Sequence, residues 1–195
     1  HGGFDRLRLE EREVPAPQRG QVRVRVRAVG LNHLDTWVRR GVPGHTFPLP
    51  LVTSSDASGV VDAVGGGVDG GREGDEVVVL PGVSCGACEP CQRGVDQLCG
   101  RYDILGESCD GTAADYVCVP AANVAPKPSG LGMEEAASVC LVFQTAWNML
   151  ARRAELRAGE TVLVHAGLSG VGSAAVQIAN ALGARSPRVK GTARS

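Results

Sequence analysis

Four cysteines, Cys85, Cys88, Cys91 and Cys99, are separated by two, two and seven residues, and they constrain this chain more than any other stretch. Gly86, Pro90 and Gly94 between them supply tight turns, so four thiolates can be brought round one cation in the tetrahedral S4 shell that Zn2+ prefers. The spacing predicts a closed structural zinc lobe over 85–99. A disulfide framework is the first rival, but the cysteine count of 7 is odd and no secretory segment precedes the cluster, which argues against an oxidising compartment. An iron–sulfur cluster is the second, yet in the bacterial ferredoxin pattern the fourth cysteine follows after three residues and precedes a proline. Here the gap is seven and Gly100 follows. Four protein ligands leave no open coordination position, so such a metal holds a loop and does no chemistry itself.

Reactive groups must therefore be sought elsewhere, and the bulk numbers narrow the classes. A length of 195 residues allows one large domain, or one domain and part of another, at roughly 150 residues per domain. A net charge of -1 gives no electrostatic case for nucleic acid or a membrane surface, and no apolar run approaches the ~20 residues a bilayer requires. The chain opens His1-Gly2-Gly3 without an initiator methionine or a leader. This reads as a cytoplasmic protein whose true N-terminus is missing.

Gln21 to Val29 alternates Val22, Val24, Val26 and Ala28 with Arg23, Arg25 and Arg27, the period of a half-buried strand with a solvated basic face. Strand signals recur over Asp56 to Val64, Asp75 to Leu80 and Asp115 to Val119, broken by Gly65-Gly66-Gly67 and Gly70-Gly71. Short strands without intervening helices describe a small antiparallel barrel or sandwich. Pro126-Lys127-Pro128-Ser129-Gly130 stops any regular element and is the expected boundary between domains 1–126 and 127–195.

Beyond it, Met133 to Ala154 reads as one helix, with Glu134 and Glu135 at its positive end and Arg152 and Arg153 at the other. Gly159 to His165 then reads as an apolar strand, Ala166 to Gly172 as a glycine turn, and Ser173 to Leu182 as a helix. Strand, glycine turn and helix in that order are the context in which backbone amides hold a pyrophosphate. The G-x-x-G-x-G frame over Gly167, Gly170 and Gly172 is intact, while the G-x-G-x-x-G frame has Ser169 at its middle position. A plain strand-to-helix connection is the alternative.

The cysteine lobe, the segment Ala28-Val29-Gly30-Leu31-Asn32-His33-Leu34-Asp35, and the Val162 to Gly183 strand-turn-helix together resemble the medium-chain dehydrogenase/reductase superfamily. The resemblance runs from about Leu7 to Ala184. It implies a mixed β and α/β architecture, with a GroES-like β-barrel domain followed by the beginning of a Rossmann-like domain. It also implies NADP or NAD bound between the two and a small-molecule substrate. The alcohol dehydrogenases of that family hold a catalytic zinc with a cysteine where this chain has Asn32, a histidine–glutamate pair where it has Ser55-Asp56, and a cysteine near Leu141. Asn32 and Ser55 cannot replace thiolate and imidazole, Leu34 stands where a proton-relay hydroxyl often follows, and the neighbouring Cys140 does not rebuild the site.

Asn32 matches instead the zinc-free quinone oxidoreductase and enoyl reductase branches. The resemblance gives Asn32, Asp35 and Thr145 as catalytic residues, an amide N–H donating to a substrate oxygen as charge builds on it. It gives His33, Thr145, Gly167, Ser169, Gly170, Val171 and Gly172 as the cofactor contacts. Local turn hydrogen bonding is the alternative role for Asn32 and Asp35, and His33 and His165 could be ordinary surface or core histidines. In related enzymes the lobe lies near subunit contacts, which makes a homodimer the expected assembly.

The C-terminal stretch fits less well. No acidic residue follows Glu160, so the ribose-binding carboxylate expected ~20 residues after the glycines is missing. Pro187 falls where a buried parallel strand should run. Arg185, Arg188, Lys190 and Arg194 could favour a 2'-phosphate, but the stretch reads as a truncated or frame-shifted end. Three readings follow: an NAD(P)H-dependent reductase without catalytic zinc, an inactive fragment held by its zinc lobe, and a zinc-dependent alcohol dehydrogenase.

Overall fold

A computed structural model describes residues 1–186. The Val/Arg alternation forms β1 (Gln21–Gly30), with Val22 and Val24 fully buried and Arg25 and Arg27 in solvent. Along the chain follow α1 (His33–Arg40), β2 (Asp56–Val64), β3 (Glu76–Val79), β4 (Gly82–Val83), the single turn α2 (Glu89–Gln92), β5 (Asp103–Ile104), β6 (Tyr116–Pro120) and β7 (Val124–Pro126). Five of the strands make one antiparallel sheet in the order β6-β1-β2-β3-β7, and β4 and β5 pair as a separate ribbon. The four strand expectations are met to within a residue at each end.

The sheet closes over a core of Val22, Val24, Ala57, Val61, Val77, Val79, Leu105, Val117 and Val119. These are small branched side chains at period-two positions, which suits a tightly curved β layer. The curvature has a visible cause, because the β1–β2 register slips after Arg23 and again after Val26, and a bulge bends the strand that carries it. On the outer face Arg23 is paired to Asp62 at 2.6 Å and lies over the Tyr116 ring.

The chain divides into two compact units, His1–Cys140 and Leu141 onward. This division lies beyond the proline-rich turn. Lys127 Nζ donates to the Leu131 carbonyl at 2.7 Å and meets Glu76 of β3 at 3.3 Å, tying the turn to the sheet. The short helix α3 (Met133–Ala136) follows. Ser58 of β2 donates to its Met133 carbonyl at 2.6 Å, and Ala136, Cys140 and Val78 share one buried cluster.

The expected Met133–Ala154 helix is not continuous. It breaks at Ser138, whose hydroxyl bonds the Glu135 carbonyl and competes with the helix ladder. It resumes as α4 (Cys140–Trp147) and ends in a wide turn over Asn148–Arg153.

In the second unit α5 spans Gly170–Ala181, three residues earlier than its apolar spacing alone predicts. Its buried face, Ala174, Ala175, Val176, Ile178 and Ala179, packs with Ala146, Leu150 and Val164. Among the described residues the expected Gly159–His165 strand shows the parallel bridge of Thr161 to Arg185, with Val162 N–H donating to Arg185 O at 2.9 Å, and Val164 is a bridge residue as well. A parallel strand is stabilised by neighbours on its edges; Arg185 supplies one, and Leu163 is half exposed. The expectations for Pro187, Arg188, Lys190 and Arg194 lie outside the described residues.

Candidate functional site

Two sites in the first unit and one turn in the second carry the residues singled out by sequence. In the lobe, the four Sγ atoms of Cys85, Cys88, Cys91 and Cys99 lie within 4.8 Å of one another. Cys88 and Cys91 are 3.4 Å apart and Cys85 and Cys91 3.9 Å. A tetrahedral ion with Zn–S bonds near 2.3 Å needs sulfur atoms about 3.8 Å apart, so the donor set fits a single Zn2+. A cluster of several irons would need its thiolates set further apart.

All seven cysteines are free thiols. Backbone amides already point at the sulfurs, Cys88 N–H to Cys85 at 3.4 Å and Arg101 N–H to Cys99 at 3.3 Å, an arrangement that favours thiolate over thiol. The amides of Ala87 and Cys88 pull the Cys85 thiol down to about 5, while, against the Cys91 amide, the Cys91 thiol and burial push the Cys88 thiol up to about 12, so without an ion the proton is retained on Cys88. The sequence placed α2 here for a local reason: Pro90 sits in its first turn, where a missing N–H costs nothing.

The second site forms where β1 runs into α1. Asn32 is the residue ahead of the helix, and its backbone N–H donates to Asp35 Oδ2 at 2.7 Å. The other Asp35 oxygen accepts the Ser54 N–H at 2.9 Å. Both carboxylate oxygens are thus engaged by backbone, one closing the helix start and one holding the 52–56 segment.

Ser54 is bent into the left-handed region at φ 71°. Its hydroxyl donates to Gly30 O at 2.9 Å and its carbonyl accepts the Thr112 N–H at 2.9 Å. Gly106 and Gly111 cover it so closely that a Cβ on either would collide with the Ser54 carbonyl. A strained residue held by several independent contacts is a recurrent feature of functional sites. Gly111→Ala is expected to lower stability by about 2 kcal/mol through this overpacking, read as a lower denaturation midpoint; an unchanged midpoint would mean that the two segments are free to separate.

Immediately after Ser54 come Ser55 and Asp56, 0% and 1% exposed. Asp56 Oδ2 accepts a hydrogen bond from Asn32 Nδ2 at 2.9 Å. The Ser55 hydroxyl is buried without a hydrogen-bond partner among the described residues. Cys140 is buried nearby in the same unit, and burial, followed by the charge of Asp56, pushes its thiol up to about 12. It is held as a neutral thiol.

His33, first residue of α1, is exposed and meets the Trp37 ring edge-on with centroids 5.9 Å apart. Sequence spacing could not find the Asn32–Asp56 contact, since 24 residues separate the two. The register that sets Gly30 opposite Asp56 creates it.

In the second unit Ser169 caps α5, its hydroxyl accepting the Gly172 N–H at 3.1 Å. A Cβ on Gly172 would collide with the Ala166 carbonyl, so glycine is required there by the turn itself. The N–H groups of Gly170 and Val171 have no acceptor inside the helix. They face the positive end of its dipole, a donor set that fits a phosphate group. Gly167 is buried in the turn. Thr145, on α4, is exposed with its hydroxyl donating to the Leu141 carbonyl at 2.7 Å.

The alcohol dehydrogenase GroES-like domain family matches residues 18–129. The chain belongs to the medium-chain dehydrogenase/reductase family. Over 174 residues it is 35% identical to the starvation-sensing protein RspB of Escherichia coli (strain K12), a match covering 89% of this chain and 50% of that protein. A solved NAD-dependent alcohol dehydrogenase superposes with a TM-score of 0.89 at 54% identity, over 94% of this chain and 53% of the other. A thermostable alcohol dehydrogenase from Pyrobaculum aerophilum, solved with cobalt and zinc, gives 0.88 at 36% identity, over 97% of this chain and 57% of the other.

The chain thus spans about half the length of the relatives it matches. The expected GroES-like β domain and the start of an α/β domain after it are the architecture of this medium-chain dehydrogenase/reductase. Among its described residues no helix is long and apolar enough to cross a membrane.

Proposed function

We propose that this medium-chain dehydrogenase/reductase belongs to an NAD(P)H-dependent reductase of a quinone, enone or carbonyl, with a structural zinc and no catalytic one. The observation that carries this reading is the contact between Asn32 and Asp56. At the place where related alcohol dehydrogenases gather thiolate and imidazole round a metal, this chain has an amide hydrogen-bonded to a buried carboxylate.

NADPH or NADH supplies the hydride when bound. Gly167, Ser169, Gly170, Val171 and Gly172 are the residues that would hold its pyrophosphate; the family resemblance adds His33 as a pyrophosphate contact and Thr145 as a nicotinamide contact. Asn32 offers its Nδ2 hydrogens to the substrate oxygen, stabilising charge as it develops there without taking a proton itself. Asp35 acts through position, because it fixes the backbone of Asn32 and of Ser54 together. The four cysteines hold one Zn2+ that secures the 85–99 loop.

Fluorescence titration tests the cofactor half of the proposal: saturable NADPH or NADH binding is expected. No saturation up to millimolar cofactor would leave the second reading, a zinc-held structural domain. Metal analysis tests the zinc half, with one zinc per chain expected. Two per chain would restore the zinc alcohol dehydrogenase reading, in keeping with the cobalt- and zinc-bound relative.

A further inference from the structure

Hydride arriving at a carbonyl or enone builds charge on an oxygen, and an asparagine can meet that charge only through Nδ2, since Oδ1 would repel it. The two ends of an amide have nearly the same shape, and its terminal torsion is broad and close to two-fold. Something must therefore keep the nitrogen, not the oxygen, in place. We propose that Asp56 is the positioning residue for Asn32, locking the amide so that one Nδ2 hydrogen is spent inward and the other is presented to the substrate oxygen. This rests on the reading of Asn32 as the substrate's hydrogen-bond donor and adds the group that determines whether it can donate.

The geometry is specific. Asp56 Oδ2 lies 2.9 Å from Asn32 Nδ2, and a carboxylate oxygen that accepts selects the nitrogen end of the amide. Asp56 is 1% exposed while Asn32 is half-buried, so the bond to Asp56 uses the inward hydrogen and leaves the other end of the amide toward the accessible side.

Asp56 is itself held on three sides. Its residue pairs with Gly30 across the β1–β2 ladder, and a Cβ on Gly30 would approach the Asp56 Cβ to 3.0 Å. Its carbonyl accepts the buried Thr112 hydroxyl at 3.0 Å. Its chain direction is set by the left-handed Ser54 two residues before it. A residue whose backbone is fixed in this way can impose an orientation on a partner, since a displacement of about 1 Å at a reacting group can cost on the order of 100-fold in rate.

The test has a spectroscopic arm that needs no turnover. In labelled wild-type chain, a scalar coupling across the hydrogen bond between Asn32 Nδ2 and Asp56 Cγ is expected, and the Asn32 side-chain proton resonances should move toward ordinary exposed values in Asp56→Ala, which removes the acceptor. In the kinetic arm, Asp56→Ala is expected to lower kcat by roughly 10- to 100-fold with KM nearly unchanged. Asn32→Ala should abolish that sensitivity, so the double variant is no worse than Asn32→Ala alone.

No coupling in the wild type would overturn the positioning role, as would a double variant in which the two losses multiply. Because the coupling is read on the wild type, a variant that fails to fold does not remove the decision. Coupling present in a chain that binds cofactor but reduces nothing would refute the reductase reading and leave the Asn32–Asp56 geometry standing.

Discussion

Replacing Cys91 with serine is expected to release the metal and disorder residues 85–99, the largest single-residue effect predicted for this chain. Cys91 Sγ lies 3.4 Å from Cys88 Sγ and 3.9 Å from Cys85 Sγ, so it touches two of the three other donors. Little else holds the segment together. Leu98 is exposed, α2 is a single turn, and of the four cysteines only Cys99 is buried. Structural zinc supplies on the order of 10 kcal/mol of apparent folding free energy to such a loop, far beyond what these contacts could replace.

The barrel should survive, because its valine core is built from the long strands and not from the lobe. Bound zinc should fall from one per chain to near zero, and trypsin should cut at Arg93 and Arg101 while the remainder of the first unit resists. A strong chelator on the wild type should give the same digest. Unchanged zinc and an uncut loop in the variant would refute the assignment of these four cysteines.

Asp35→Ala should cost about 3 kcal/mol of stability, which separates the two roles open to this carboxylate. Its oxygens accept the backbone N–H groups of Asn32 at 2.7 Å and Ser54 at 2.9 Å, and charge-assisted bonds of this kind contribute about 1.5–3 kcal/mol each when their loss leaves donors unpaired. Asp35→Asn should recover only part of the loss, since an amide can accept on one side but turns a donor toward an N–H on the other. Equilibrium denaturation of the three proteins reads the order wild type, asparagine, alanine. If the alanine variant were as stable as the wild type and merely inactive, Asp35 would be acting on the reaction and not on the backbone. Both variants should also loosen Asn32, so a stability loss accompanied by an activity loss is the expected pair.

How much of this was legible beforehand differs from element to element. β1 announced itself through Val22, Val24 and Val26 against three arginines, because a period of two is imposed by local pleat geometry. The four-cysteine cluster was equally plain, since its thiols sit within fifteen residues and the turns between them are marked by glycine and proline. The glycine turn before α5 was found for the same reason.

The break at Ser138 was missed because apolar, helix-favouring residues run on either side of it, and a single side-chain bond to a carbonyl decided the matter. The pairing of the Gly159–His165 strand was not legible, since apolar composition states what a segment would bury and not which neighbour it pairs with; Thr161 pairs with Arg185.

The amino-acid sequence alone determined the elements whose cause is local: strand periodicity, the cysteine spacing and the glycine turn. Only the tertiary structure decided which side chains meet. The β1–β2 register brings Asp56 to Asn32 across 24 residues, Asp35 reaches Ser54 across 19, and Gly106 and Gly111 close over a left-handed serine that no local pattern marks. Such contacts depend on how strands align through space, a property of the whole sheet that no window of neighbouring residues contains.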